Sequence, residues 1–82
     1  MKMSEAIAKR TANLLKEHNM TKYALHKKTL MPKTTVQNIL DATANDTTVT
    51  NVLRIATAFD MTLAEFLDFD ELNNFSFDDD EE

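Results

Sequence analysis

The sequence predicts an all-α fold: a compact domain of five helices followed by an acidic tail. The 82 residues include no glycine and only one proline, and they are rich in alanine, leucine, lysine and glutamate, which favour helices. Apolar residues recur at helical spacing between polar links. We expect residues 1–68 to form one domain and residues 69–82 to form a Phe-containing acidic tail with a mobile end.

The first three helices are predicted from capping residues and apolar periodicity. Ser4 is a suitable N-cap for a first helix over Ser4–His18. Its buried face would consist of Ile7, Ala8, Thr11, Leu14, Leu15 and His18. Thr21 would cap a second helix ending near Lys28, and Pro32 would occupy the first position of a third helix, where its missing N–H costs nothing.

The fourth and fifth helices carry clearer end signals. Thr48 would cap a helix that runs to Phe59, and Asp60 would end it because aspartate tolerates the left-handed conformation. Thr62 and Glu65 have the T-x-x-E spacing of a capping box at the start of the fifth helix.

Two other segments have weaker patterns. The polar run at residues 45–47 predicts a loop between the third and fourth helices. Phe69, Leu72 and Phe75 recur every three residues and predict a weak extra turn after the fifth helix.

Charge is divided unevenly along the chain. Residues 1–59 contain nine lysines and arginines and four acids, a net charge of +5. Residues 60–82 contain ten acids and no lysine or arginine, a net charge of −10. The total of −5 therefore hides a basic first part, which suits an anionic partner such as nucleic acid.

Composition argues against several classes of protein. The absence of cysteine excludes disulfide-stapled scaffolds and thiolate metal sites. No apolar run approaches the roughly 20 residues of a membrane span, and the run MKMSEAIAKR lacks the apolar segment of a signal peptide. His18 and His26 are the only histidines, and no nucleophile–base set or glycine phosphate loop is present. We expect a cytoplasmic protein without enzymatic activity, metal, cofactor or membrane association.

The third helix has two contrasting sides at 100° per residue. One side carries Thr35, Val36, Ile39 and Leu40. The other carries Lys33, Thr34, Gln37, Asn38 and Asp41. Amides match the donor and acceptor pattern of an adenine edge and lysine matches guanine acceptors, so this side is suited to reading bases. Composition alone leaves a solvated helix face as an equal alternative.

The arrangement of segments resembles a known family. TKYALHKKTLMPKTTVQNIL at Thr21–Leu40, followed by VLRIATAFDMTLAEFL, resembles the Cro/repressor-type (Xre-like, lambda-repressor-like) helix-turn-helix DNA-binding family over roughly residues 5–68. The matching features are Thr21, Leu25, Met31, Val36, Ile39 and the series I-A-x-A-F-D-M-T-L-x-E-F from Ile55 to Phe66. The resemblance implies a transcriptional regulator, with repression the expected action, that binds double-stranded DNA as a homodimer.

The resemblance also implies roles for individual residues. Base edges would be contacted by Lys33, Thr34 and Asn38, with Gln37 next. Phosphates would be contacted by Thr21, Lys22, Tyr23, Lys27, Lys28 and Thr35. Lys9 and Arg10 would extend the basic rim, and Asp41, which repels phosphate, would lie at the end of the helix away from the groove.

The chain departs from the family pattern at two places. His26 replaces a small residue, and Leu30 replaces the glycine of the turn, so either the turn takes another conformation or the helix crossing widens. Leu15 and Leu40 stand where many members have a buried Arg–Glu pair, an exchange that an apolar core tolerates.

Two questions stay open on sequence alone. The chain can instead be an antitoxin or regulator-binding module that uses the same fold to hold a protein partner through its C-terminal region. The acidic tail can aid solubility, compete with DNA for the basic surface, or present a stripe for dimerisation or partner binding. That stripe would consist of Phe69, Leu72, Phe75 and Phe77.

Overall fold

The computed structural model describes residues 1–43 and 47–77, and within these ranges the chain is all-helical without strands. The helices are α1 (Met3–Glu17), α2 (Lys22–Thr29), α3 (Lys33–Leu40), α4 (Val49–Ala58), α5 (Leu63–Leu67) and α6 (Asp70–Asn73). The predicted all-α class is confirmed, and α6 forms where the weak extra turn was expected. Most of the predicted loop at 45–47 and the tail end at 78–82 lie outside the described residues.

Threonine hydroxyls start three helices as the sequence predicts. Oγ1 of Thr21 accepts from the Ala24 amide at 3.0 Å, and Oγ1 of Thr48 accepts from the Asn51 amide at 3.1 Å. The capping box of Thr62 is complete, because the Glu65 carboxylate accepts the Thr62 amide at 2.8 Å in return. These short side chains satisfy amides that have no partner within the helix.

Two predicted helix starts are wrong by one or two residues. Helix α1 begins at Met3 instead of being capped by Ser4, because the Glu5 carboxylate accepts the backbone N–H of Lys2 at 2.7 Å. Pro32 is the N-cap of α3 and not its first helical residue, since its ψ of 146° is extended. The carbonyl of Pro32 nevertheless accepts the Val36 amide at 3.1 Å, so α3 starts directly after the ring.

Helices end in left-handed residues although the chain has no glycine. In the described ranges the positive φ angles belong to Asn19 (52°), Leu30 (61°), Ala42 (58°) and Asp60 (59°). Asn and Asp adopt this conformation readily, as predicted for Asp60, whereas Leu and Ala have a Cβ that makes it cost about 1–2 kcal/mol. The fold therefore accepts strain at two of its helix ends.

The core lies where helices α1 to α5 meet. Its largest fully buried side chains are Phe59, Phe66, Leu25, Ile55 and Thr11. Thr11 is satisfied there because its hydroxyl donates to the Ile7 carbonyl at 2.8 Å. Leu15 is buried and Leu40 packs against the same cluster, so the two leucines are part of the apolar core.

Helix α6 packs against α1, and two basic side chains of α1 bind to the region of α5 and α6. The Lys9 ammonium lies 2.6 Å from a Glu71 carboxylate oxygen, and this hydrogen bond is the main reason that the pKa of Glu71 falls below its ordinary value. Arg10 donates to the carbonyls of Glu65 and Phe66 at 3.0 Å and lies 5.3 Å from the Phe69 ring centre. Lys9 and Arg10, which were expected to extend a basic rim, thus have partners within the protein, and their contact with DNA stays a prediction. Their charges are engaged in closing the C-terminal part of the fold.

None of the described helices combines the length and the apolar character that a membrane crossing needs.

Candidate nucleic-acid interface

A groove of about 480 Å³ runs between α2 and α3 on the surface. It is lined by Lys22, Tyr23, His26, Lys33, Thr34, Val36, Gln37 and Asn38. All four predicted base-contacting residues, with two of the predicted phosphate-contacting residues, thus share one concave surface. Since the two helices flank it, the groove presents short polar side chains of α3 beside the basic start of α2.

The turn between α2 and α3 keeps a left-handed conformation despite its leucine. Leu30 has φ 61° and ψ 17°, and its side chain is 81% exposed, so it points out of the protein. The backbone strain expected where glycine is missing is thus present and is not avoided by another turn conformation.

His26 is accommodated by hydrogen bonding. Its Nδ1 lies 2.6 Å from the carbonyl oxygen of Met31, so Nδ1–H donates across the turn to the residue just before Pro32. The Met31 side chain is buried, and its amide donates to the Thr29 hydroxyl at 3.3 Å. The imidazole therefore fastens the turn between the two helices and fixes where α3 begins.

Sequence reasoning missed a brace on this turn. Arg54 of α4 donates from Nη1 to the Thr29 carbonyl at 3.1 Å. The sequence around Arg54 does not indicate this role, because the contact joins residues 25 positions apart.

The ring of Tyr23 lies near two lysine ammonium groups at one side of the groove. The Nζ atoms of Lys27 and Lys33 lie 5.7 Å and 5.8 Å from its ring centre, and the His26 ring is 6.0 Å away. Tyr23 is 58% exposed, so its ring faces solvent between two ammonium groups. Such cation–π placement holds both lysines near a phenol that can itself donate to an anion.

The amides on α3 have defined partners. The Lys22 ammonium donates to Oε1 of Gln37 at 3.0 Å, and Nε2 of Gln37 donates to the Asp41 carboxylate at 2.8 Å. Oδ1 of Asn38 accepts from the Thr43 hydroxyl at 3.3 Å, which leaves the Asn38 NH₂ group outside that contact. Asp41 lies at the C-terminal end of α3 as expected, but its carboxylate bonds to a side chain that lines the groove.

The other predicted phosphate ligands lie outside the groove lining. Thr21 uses its oxygen to cap α2, which leaves the hydroxyl proton able to donate. Lys27 and Lys28 are exposed on the last turn of α2, and Thr35 is half-buried on α3. Their arrangement gives a basic border along α2 beside the polar face of α3.

Comparison with known proteins identifies the same region. The sequence profile of the Cro/C1-type HTH DNA-binding domain matches residues 12–71, which include all of α2 to α5 and the start of α6. No curated protein and no solved structure matches the chain significantly.

Proposed function

The chain belongs to the Cro/C1-type HTH DNA-binding domain family, and we propose that its α2–α3 face recognises a specific double-stranded DNA sequence. The supporting observation is the groove, which brings Lys33, Thr34, Gln37 and Asn38 together beside Lys22. In this proposal the N-terminal part of α3 enters the major groove.

Each side chain has a role that its chemistry allows. Asn38 and Gln37 offer planar amides suited to adenine, and the Lys33 ammonium suits the acceptors of guanine. The hydroxyl of Thr34 can accept or donate. Phosphate contacts are assigned to Thr21, Lys22, Tyr23, Lys27, Lys28 and Thr35. The ammonium groups among them would displace counterions from the DNA phosphates, which makes binding salt-dependent.

Selection of binding sites from random duplex DNA, followed by a salt titration, tests this proposal. Asn38→Ala should cost about 1–3 kcal/mol on the selected site and relax preference at one base pair. Lys28→Ala is the matched control, because loss of a phosphate contact should weaken binding to all sequences alike and reduce the salt slope by about one. An Asn38→Ala variant with unchanged site preference would contradict the docking.

We propose that the chain binds as a homodimer on two half-sites. Helix α3 has eight residues and spans about 12 Å, so a single copy reads few base pairs. Two copies on half-sites one helical turn apart, about 34–36 Å, would multiply the specificity. Sedimentation equilibrium and binding to duplexes with one or two half-sites test this, and equal affinity for both duplexes would contradict it.

We further propose that the bound protein represses transcription in the cytoplasm. A domain seated on a promoter would exclude the polymerase. A reporter whose constitutive promoter contains the selected site should lose expression when the protein is present. Increased expression would indicate activation instead.

The acidic C-terminal tail would act on the DNA-binding domain that precedes it. We propose that residues 1–68 bind DNA and that the tail from 69 onward lowers non-specific binding by competing with phosphate. Residues 75–82 contain five acids and no basic residue. A chain stopped after Asn74 keeps α6 and should bind random duplex more tightly at low salt; equal affinities across salt concentrations would exclude competition.

A protein-interaction module is the second candidate, and one observation favours it. Phe77 is 73% exposed next to Phe75, whose ring centre is 5.1 Å away, so the tail presents aromatic surface near its acidic end. Such surface fits an antitoxin or a regulator that binds a protein partner. A module of this kind would show neither steep salt dependence with random duplex nor a selected consensus.

A further inference from the structure

We propose that Asp41 is a positioning residue for base recognition: together with Lys22 it fixes the orientation of the Gln37 amide so that this side chain reads adenine. The inference rests on the proposed DNA-binding function and assigns to an acid of α3 a role in specificity.

The first step is the fixed direction of the amide. Lys22 Nζ lies 3.0 Å from Oε1 of Gln37, and Asp41 Oδ1 lies 2.8 Å from Nε2. A reversed amide would place its NH₂ group against an ammonium and its oxygen against a carboxylate. Both contacts would then be repulsive, so the two charges permit only one orientation.

The second step concerns what the amide still offers. Its oxygen has two lone pairs, of which Lys22 uses one, and its NH₂ group has two protons, of which Asp41 uses one. One acceptor and one donor therefore remain on Gln37. Adenine presents one donor, N6–H, and one acceptor, N7, to the major groove, which is the complementary pair.

The third step is that the helix dipole and the charge of DNA both disfavour an acid at this position. Asp41 is the C-cap of α3, where the helix dipole disfavours negative charge. A carboxylate near a DNA-facing helix also repels phosphate. The favourable contact that the structure shows for this carboxylate is the hydrogen bond from Gln37.

The test uses Asp41→Ala with the selected site and with a duplex in which the preferred adenine is replaced. The variant should bind random duplex as tightly as the parent protein or more tightly, since a negative charge is lost. Its discrimination against the replaced base should fall by about 5-fold or more, the lower end of what a bidentate pair contributes.

A conservative variant and a double mutant separate positioning from charge. Asp41→Asn keeps an oxygen that can accept from Nε2, so it should retain more discrimination than Asp41→Ala. In a Gln37→Ala background, Asp41→Ala should cause no further loss of discrimination. Full discrimination in Asp41→Ala, or an equal loss on every sequence, would overturn the proposal.

A measurement on the free protein makes failure of this inference distinguishable from failure of DNA recognition. The side-chain NH₂ signals of Gln37 in a ¹⁵N-correlated NMR spectrum should move toward those of a free glutamine in Asp41→Ala and in Lys22→Met. Unchanged signals would overturn the positioning role whatever the DNA result. Changed signals in a protein that selects no DNA sequence would overturn the proposed function, and with it the adenine readout.

Discussion

The guanidinium of Arg54 donates a 3.1 Å hydrogen bond to the main-chain carbonyl of Thr29, which joins α4 to the last residue of α2. That carbonyl is one of the last four of α2, which have no partner within the helix. The C-terminal end of a helix also favours a nearby cation. Arg54 therefore supports the α2–α3 turn from a helix whose own residues do not line the groove.

Arg54→Met should lower the free energy of unfolding by about 1–2 kcal/mol, because a charged donor is lost while the Thr29 carbonyl keeps its need for a partner. Urea titration followed by circular dichroism measures this. Arg54→Lys is the matched control, since it keeps the charge but not the planar guanidinium. Its free energy of unfolding should lie between those of the parent protein and Arg54→Met. A Met variant as stable as the parent would show that the brace contributes nothing.

Leu30→Gly should raise the free energy of unfolding by about 0.5–1 kcal/mol. It removes the left-handed strain of a β-carbon, and part of that gain is offset by the greater freedom of glycine in the unfolded chain. Little packing is lost because Leu30 is 81% exposed. Leu30→Ala keeps the β-carbon and should show no comparable gain, so thermal melts of the two variants isolate the backbone term. Equal stabilities of the two would contradict strain at this residue.

His26→Ala should destabilise the fold by about 1 kcal/mol, since the hydrogen bond to the Met31 carbonyl is lost. It should also weaken specific DNA binding, because the start of α3 is less firmly held. Lys28→Ala, at an exposed position on the same helix, should leave stability within about 0.5 kcal/mol of the parent. The comparison needs a urea titration for both variants and a DNA-binding curve for His26→Ala and the parent protein. Loss of binding without loss of stability would point to a direct DNA contact by the imidazole instead.

Lys9→Met should lower stability in a pH-dependent way. The hydrogen bond from Lys9 lowers the pKa of Glu71 below its ordinary value of 4.5, so the pair stabilises the fold fully above that pH. The stabilisation is lost as the pH falls through the lowered pKa of the folded state. The difference in the free energy of unfolding between the variant and the parent protein should therefore be largest near neutral pH and should disappear in acid. Lys16→Met, a change of another exposed lysine on α1, should differ from the parent protein in free energy of unfolding by an amount that does not change with pH in this way.

Local signals in the sequence predicted much of the fold. The caps at Thr48 and Thr62 and the left-handed end at Asp60 depend on residues within four positions of one another, so they can be recognised in the sequence. The same holds for the apolar periodicity that defines the core. These elements and the family resemblance are confirmed, except that His18, predicted on the buried face of the first helix, is exposed. The base and phosphate roles stay predictions.

Long-range pairing could not be predicted in this way. Arg10 finds its carbonyl partners 55 and 56 residues away, and nothing in its local sequence distinguishes it from an arginine that faces DNA. Gln37 and Asp41 are different, because their spacing of four on one helix face is a known hydrogen-bonding arrangement. That signal is present in the sequence, although the charge of Asp41 by itself suggests only repulsion of phosphate.

The left-handed helix ends without glycine have a consequence for the denatured ensemble. A chain that contains no glycine has fewer conformations open to it when unfolded than a chain with glycine at its helix ends, so folding costs it less backbone entropy at those positions. Strain at Leu30 and Ala42 in the folded state is thus set against the restriction that their β-carbons impose on the unfolded chain. Part of what keeps this small domain folded accordingly lies in the limited freedom of its unfolded form.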